Sequence, residues 1–450
     1  MTTSELVHFL IAFARTRWGL RFRDRAALDR WQQKRLRRFI QTTLKETGFY
    51  KNIVAKDVAS LPIVDKAVTL AQFAGFNSHG ISLDIATCAA IALESGLPIP
   101  IDFDLTLTAG LSSGTQGPRG VFLASAKERV TWAGILLARA LDRGLLRDVL
   151  FRKEPVRVAF FLRANSALYM TLKSRRVNFR FFDLKVGPEA YAASLSLFQP
   201  EVLVAPASIL AWLAGQTLSG RMTLTPRRVI SVAEVLEEDD EQRIRSAFGR
   251  TVHQLYQCTE GFLAYTCSEG VLHLNEEYIH IEPEWIDAEQ TRFMPIITDF
   301  SRTTQVFARY RLTDVLRVRS RPCLCGRVTR ALTAIDGRVD DILWFCTKAG
   351  KRLMPLFPDA LRHTIAISPL KVGDYQITQC GDMVQLAFGR DDASFELLTH
   401  HIDALIERQG LQPPTWRRAE FCIKPPEAKR RRIVCVEKPG VNRQLEHFPI

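Results

Sequence analysis

No stretch of this 450-residue chain comes near the ~20 consecutive apolar residues that a membrane-spanning helix requires. The opening run, VHFLIAFARTRWGLRFRDR, breaks into arginines without a small-residue cleavage site, so it does not read as a secretory leader. A soluble, cytoplasmic protein is expected. Nine cysteines, an odd number in a chain without such a leader, argue against a disulfide framework and for free thiols or metal ligands. Internal repeats and low-complexity tracts are absent. So are helix-turn-helix and zinc-finger spacings, which removes the usual nucleic-acid readers even though the chain is basic. The net charge of +13, from 61 Lys and Arg against 48 Asp and Glu, then favours other anionic partners: nucleotides, coenzyme A, an acidic carrier or a membrane surface.

What is present suits a large soluble enzyme. With 47% hydrophobic and 24% charged residues the chain can bury a substantial core, and its length predicts two or more domains. Residues 15–40 read as an amphipathic helix with a basic outer face. The middle alternates strand-like runs, VRVAFFL (156–162), EVLVAP (201–206), RRVISVAEVL (227–236) and TVHQLYQ (251–257), with helix-length segments, the pattern of an α/β fold. Beyond Asp336 the segments shorten, with DYQITQ and MVQLAF as strands and FELLTHHIDALIERQG as a helix closed by Gly410. The expected division is a large domain over residues 1–340 and a small α+β domain over 341–450.

Three clusters carry chemistry. Leu111-Ser112-Ser113-Gly114-Thr115-Gln116-Gly117-Pro118-Arg119-Gly120 is a glycine- and hydroxyl-rich loop whose backbone amides can approach oxyanions closely, although it lacks the GxxxxGK pattern of Walker loops. Tyr256-Gln257-Cys258-Thr259-Glu260 sets an aromatic ring, a hydroxyl and a carboxylate on one strand-to-loop corner. Cys267, His273, Cys323 and Cys325 offer three thiols and an imidazole in two short pairs, the ligand set of a closed tetrahedral zinc site. The competing reading of that set is three small buried cysteines and a surface histidine. Cys88, Cys258, Cys346, Cys380, Cys422 and Cys435 show no such pairing and read as core fillers.

Taken in order, the motifs resemble the acyl-adenylate-forming superfamily, which contains acyl-CoA synthetases, peptide-synthetase adenylation domains and luciferases. The loop resembles its SSGT-x-G signature, and Tyr256–Glu260 its Y-x-x-T-E. Ser231-Val232-Ala233-Glu234 occupies the place of a G-A-E-P-like segment. Arg309-Tyr310-Arg311-Leu312-Thr313-Asp314 resembles R-Y-R-T-G-D, and Gly337-Arg338-Val339-Asp340-Asp341 matches G-R-x-D-D. The resemblance implies a large multi-sheet α/β adenylation domain and a small mobile α+β lid. It further implies ATP and Mg²⁺: Ser112, Ser113, Gly114, Thr115 and Gly117 against phosphates, Ala233, Glu234 and Tyr256 against adenine, Thr259 beside the reacting groups and Glu260 on magnesium. Asp314 would accept from the ribose hydroxyls, Arg338 would reach ribose or phosphate, and Asp340 would be the hinge. Glu427-Ala428-Lys429-Arg430-Arg431-Arg432 resembles G-K-x-x-R, which assigns the mobile catalytic lysine to Lys429, with Lys424 as competitor.

The Cys/His pairs narrow the resemblance to phenylacetate-CoA ligases and coenzyme F390 synthetase-related enzymes, in which such a zinc site looks structural. Gly48-Phe49-Tyr50 and Leu61-Pro62-Ile63-Val64-Asp65-Lys66 resemble the opening of the same group. The expected partners are a carboxylic acid and a thiol acceptor, either CoA or an acyl carrier protein; adenylyl transfer to a hydroxyl and amide formation are alternatives, and homodimerisation is left open. Phe160, Phe161, Asn165 and Tyr169, which follow a buried strand, are candidate acyl-pocket residues, and core packing explains the aromatics about as well.

Overall fold

The computed structural model of the chain describes residues 1–112, 119–162, 174–184, 188–350, 352–370, 372–389, 391–422 and 430–440. They form two compact units. Met1–Glu284, Pro295–Leu312 and Val318–Ala334 make up the first, and Trp285–Met294, Thr313–Arg317 and Ile335–Ile450 the second.

In the first unit, β1 (Leu107–Leu111) and β2 (Val121–Ser125) form an antiparallel hairpin whose loop is the glycine-rich segment. The main sheet contains β3 (Val156–Leu162), β4 (Val177–Asp183), β5 (Val202–Ala205), β6 (Arg228–Val232) and β7 (Val252–Cys258), parallel and ordered β4-β3-β5-β6-β7. Antiparallel β8 (Gly261–Thr266) and β9 (Leu272–Leu274) continue it. The runs rich in Val, Ile and Phe become central strands because helices cover both faces and alternate side chains find apolar partners on each side. Phe160 and Phe179 face the helices Thr3–Ala14 and Ala126–Ala140, while Phe161 and Phe182 face Ala207–Leu218 and Glu238–Phe248. Phe160 and Phe161 are therefore core residues on opposite faces of the sheet, 6% and 0% exposed, instead of a shared pocket wall. Asn165 and Tyr169 lie outside the described residues.

The Gly48–Tyr50 and Leu61–Lys66 segments act as staples. Tyr50 Oη donates to the Ala308 carbonyl at 3.0 Å, Val64 N to Arg309 O at 3.0 Å and Arg311 N to Val64 O at 2.8 Å. The Arg309 guanidinium donates to the carbonyls of Ala59 and Leu61, both at 2.8 Å, and forks onto Glu282.

The second unit is α+β. Its four-stranded sheet runs Thr415–Ala419, Met383–Phe388, Tyr375–Cys380, Ile433–Glu437, with an antiparallel central hairpin and parallel outer pairs. Leu361 and Ile365 of one helix and Leu398 and Ile402 of another pack on Ile377 and Leu386. The helix Asp392–Arg408 starts where the Asp391 carboxylate accepts the Ser394 N–H and is followed by Gly410 at φ +74°.

Candidate nucleotide corner and metal cluster

The two feet of the glycine-rich loop are clamped together. Ser112 N donates to Gly120 O at 2.7 Å, and Gly120 N donates back to Ser112 Oγ at 2.7 Å. Arg119, which stands where relatives of the resemblance carry lysine, donates to Ser112 O at 2.9 Å and pairs with Glu94 at 3.2 Å. Ser113, Gly114, Thr115 and Gly117 lie outside the described residues. A Cβ at Gly120 would stand 3.3 Å from Ser112 Oγ and 4.0 Å from Thr259 Oγ1, so the foot of the loop lies within van der Waals reach of the Tyr256–Glu260 corner.

That corner is a two-residue hairpin: Cys258 pairs with Gly261, and Thr259 and Glu260 form the turn. Neither Thr259 nor Glu260 has a positive φ, so the turn does not need the Asn, Asp or Gly that primed hairpin turns require. Surrounding contacts hold it. Arg302 Nη2 donates to the Thr259 carbonyl at 2.8 Å, its Nε lies 3.6 Å from Asp299, and its guanidinium stacks over Phe307. Gly261 is closely packed: a Cβ would fall 2.9 Å from Ile279 Cδ1 and 3.2 Å from Asp299 Oδ2, so those side chains would have to shift. The Tyr310 hydroxyl lies close enough to Glu260 to feel its charge; burial first, and then that charge, push its pKa far above the ordinary tyrosine range. Burial also raises Asp299, against the opposing pull of Arg302. Glu128 behaves the other way: burial would raise it, but the amides of Thr303 (2.6 Å), Thr304 (2.9 Å) and Ser125 (2.9 Å) hold it below the usual range.

Behind the corner is a cavity of about 400 Å³ whose walls include Gln257, Gly261, Phe262, Trp132, Lys127 and Arg302. Its aromatic and cationic walls suit an organic anion. The sequence did not point to Tyr310, Asp299, Arg302 or this cavity. Tyr310 lies inside the R-Y-R-L-T-D segment, where nothing local distinguishes it from a core tyrosine.

At the end of β6, Ala233 adopts left-handed φ, +64°, a strained choice for a residue with a Cβ. The kink lets Glu234 accept the Ser208 N–H at 3.0 Å. In the second unit, Asp314 Oδ1 lies 3.6 Å from Arg338 Nε, and Val339 N donates to Thr313 O at 2.8 Å, which joins the R-Y-R-L-T-D and G-R-V-D-D segments. Gly337 has φ +124°, and a Cβ there would meet Asp341 Oδ2 at 2.6 Å. Asp341 accepts the Arg338 N–H at 2.7 Å and the Arg431 Nε at 2.9 Å, whereas the hinge candidate Asp340 is exposed. Lys429 and its competitor Lys424 lie outside the described residues.

The ligand atoms of Cys267, His273, Cys323 and Cys325 all lie within 4.8 Å of one another. Cys267 Sγ is 3.7 Å from Cys323 Sγ, and Cys325 Sγ is 3.4 Å from His273 Nε2. A tetrahedral zinc with bonds of about 2.3 Å to sulfur has edges of about 3.8 Å, so the donors are spaced to fit the ion. His273 Nδ1 lies 3.1 Å from the Thr329 carbonyl. A carbonyl can only accept, so Nδ1 carries the proton and the Nε2 lone pair faces the thiols. His273 is 0% exposed, which removes the surface-histidine reading. Of the remaining cysteines, Cys88 and Cys422 are exposed and do not fill the core.

The sequence matches no known protein family and no curated protein. Solved structures do resemble the chain. A 2-hydroxyisobutyryl-CoA ligase in its postadenylation state with 2-HIB-AMP superimposes with TM-score 0.63 at 17% identity, covering 94% of this chain and 91% of that one. An open conformation of that ligase with 2-HIB-AMP and CoA gives TM-score 0.55 at 16% identity, covering 92% of each chain. ATP-bound MatB from Rhodopseudomonas palustris gives 0.50 at 13%, covering 75% and 68%. With a large mixed α/β first unit, a small α+β second unit and coverage of nine-tenths of the ligase, the chain shares the fold of that 2-hydroxyisobutyryl-CoA ligase.

Proposed function

We propose that the chain is an adenylate-forming ligase that uses ATP and Mg²⁺ to convert a carboxylic acid into an acyl-adenylate and then transfers the acyl group to a thiol, in the manner of phenylacetate-CoA ligases. One observation carries the reading: the clamped foot of the glycine-rich loop sits beside the Thr259–Glu260 turn, whose backbone Arg302 holds. The loop, with Ser112, Ser113, Gly114, Thr115 and Gly117, takes the phosphates. Tyr256 stacks on adenine while the kinked backbone at Ala233 and Glu234 borders it. Glu260 fits a hard cation, since a carboxylate offers about four oxygen acceptor sites. Magnesium there would offset the phosphate charge. Asp314 accepts from the ribose hydroxyls beside Arg338.

In the adenylation step the acid's carboxylate oxygen attacks the α-phosphorus, the bond to the bridging oxygen breaks and pyrophosphate leaves. Charge grows on the phosphoryl oxygens, so Lys429, supplied for this step only, favours the transition state over the ground state. Movement about Asp340 withdraws it before the thiol attacks the acyl carbon and AMP departs. The related ligases bind acyl-AMP and CoA, which supports CoA or a carrier-protein thiol as acceptor. The Cys267–His273–Cys323–Cys325 set would hold a structural zinc.

The test incubates purified protein with ATP, Mg²⁺ and a mixed acid library, with and without CoA, reading pyrophosphate release and acyl-AMP by mass spectrometry. Acyl-AMP without CoA and acyl-CoA with it is the expected result. Absence of both pyrophosphate release and ATP affinity refutes the reading. Lys429→Ala should impair adenylate formation far more than transfer from preformed acyl-AMP, and equal losses would remove Lys429 from the assignment.

A further inference from the structure

The helix Thr3–Ala14 and the turn Arg15–Gly19 that prolongs it are apolar on two opposite sides. Phe9, Ala12 and Phe13 face inward against the helix Ala126–Ala140. The fit is tight: a Cβ at Gly134 would stand 2.6 Å from the Phe9 carbonyl oxygen. Arg17 Nη1 locks the far end by donating to the Ala138 carbonyl at 3.1 Å and the Leu141 carbonyl at 2.7 Å. On the other side Leu6, Val7, Leu10, Ile11 and Trp18 are 47%, 48%, 52%, 58% and 56% exposed. At about 100° per residue Leu6, Val7, Leu10 and Ile11, with exposed Ala14 between them, fall in one arc of roughly 140°, and Trp18 follows in the wider π-helical turn. Singly scattered surface hydrophobics need no explanation, but a continuous stripe on a rigid helix does.

Its margin is cationic. Residues 15–38 contain nine arginines and one lysine against Asp24 and Asp29. Arg15, Arg21, Arg23, Arg30, Lys34, Arg37 and Arg38 are exposed, the Arg23 side chain by 92%, and Trp18 stands where the apolar stripe meets them. Arg25 is the member committed to a buried acid, Glu276, at 2.7 Å.

We propose that this face docks the protein onto an anionic lipid surface. The apolar arc enters the boundary between headgroups and acyl chains, Trp18 lies at that level with its ring apolar-side and its N–H in the wet layer, and the arginines meet lipid phosphates. Charge decides the occupant. A second copy of the chain on this stripe would bring two arginine-rich margins together, whereas an acidic bilayer supplies the opposite sign. The stripe is preformed on an anchored helix, so docking carries little ordering cost.

The experiment is flotation of the full chain with vesicles of phosphatidylcholine alone or of phosphatidylcholine mixed with phosphatidylglycerol. Retention should be roughly tenfold or more greater on the mixture and should fall as salt is added. Leu6→Gln/Leu10→Gln/Ile11→Gln should abolish it; these positions face solvent and glutamine is a good helix former, so thermal unfolding should be unchanged. Arg21→Gln/Arg23→Gln should weaken binding to the mixture and flatten its salt dependence. No retention on either vesicle, or retention that ignores the triple substitution, overturns the proposal. So does a lipid-free dimer in sedimentation that the triple substitution dissolves, which would make the stripe a contact between copies.

Discussion

The two ends of β8 make the most instructive contrast in the molecule. Gly261 opens the strand beside Thr259 and Glu260, and Thr266 closes it beside Cys267, about 17 Å away at the rise of an extended strand. The Cys267 end is chemically closed: four donors face one point, and the histidine tautomer is set by a backbone carbonyl. Burial raises Cys267 and takes Cys325 up to about 12, so without a cation these two thiols stay protonated, and a bound zinc would displace their protons. The Glu260 end is chemically open: a carboxylate on a two-residue turn, with a cavity behind it. On the proposed function, one strand would carry an anchor at one end and a reactive corner at the other.

Breaking the anchor should have the largest effect. Chelation or Cys325→Ser is expected to remove zinc and lower stability by more than about 4 kcal/mol. Metal analysis together with chemical denaturation checks this, and an unchanged denaturation midpoint would dissociate the cluster from the fold. Glu260→Gln should be the converse, with adenylate formation down on the order of 10²–10³-fold and thermal unfolding nearly unmoved. Activity within a few-fold of the parent would remove Glu260 from the chemistry. Gly261→Ala tests the link between the ends: forcing a methyl against Ile279 and Asp299 should cost about 1–3 kcal/mol, visible as a lower Tm. The smallest change is Tyr310→Phe, about 1 kcal/mol at neutral pH. Tyr310 keeps its proton in the fold beyond the pH at which an unfolded tyrosine, near 10.0, releases it. Its contribution is therefore complete below pH 10 and is lost as pH rises above it, so parent and Tyr310→Phe stabilities should converge on the alkaline side.

Much of this was legible in the chain because rare residue types in short spacings carry information independently of the fold. The paired Cys267/His273 and Cys323/Cys325 were conspicuous as ligands, and the Val- and Phe-rich runs named β3, β5, β6 and β7 because a strand covered on both faces must be apolar throughout. The Gly48–Tyr50 and Leu61–Lys66 segments were recognisable only as a resemblance; their physical role, hydrogen bonding to Ala308–Arg311 across some 250 residues of sequence, has no local signature. Phe160 and Phe161 misled for a related reason. Adjacent strand residues point to opposite faces, so they could not line one pocket.

The sequence by itself determined which chemistry the chain has available: oxyanion-cradling glycines, a carboxylate at a strand end, soft ligands in pairs, an excess of arginine. Only the tertiary structure decided which of these meet. It put the foot of the glycine loop against Thr259, Tyr310 on Glu260, Arg302 under the turn, and an apolar stripe of the first helix in the open. Side-chain identity is written residue by residue, whereas contacts between distant segments depend on strand register and on which faces the helices cover, and those are properties of the packed whole.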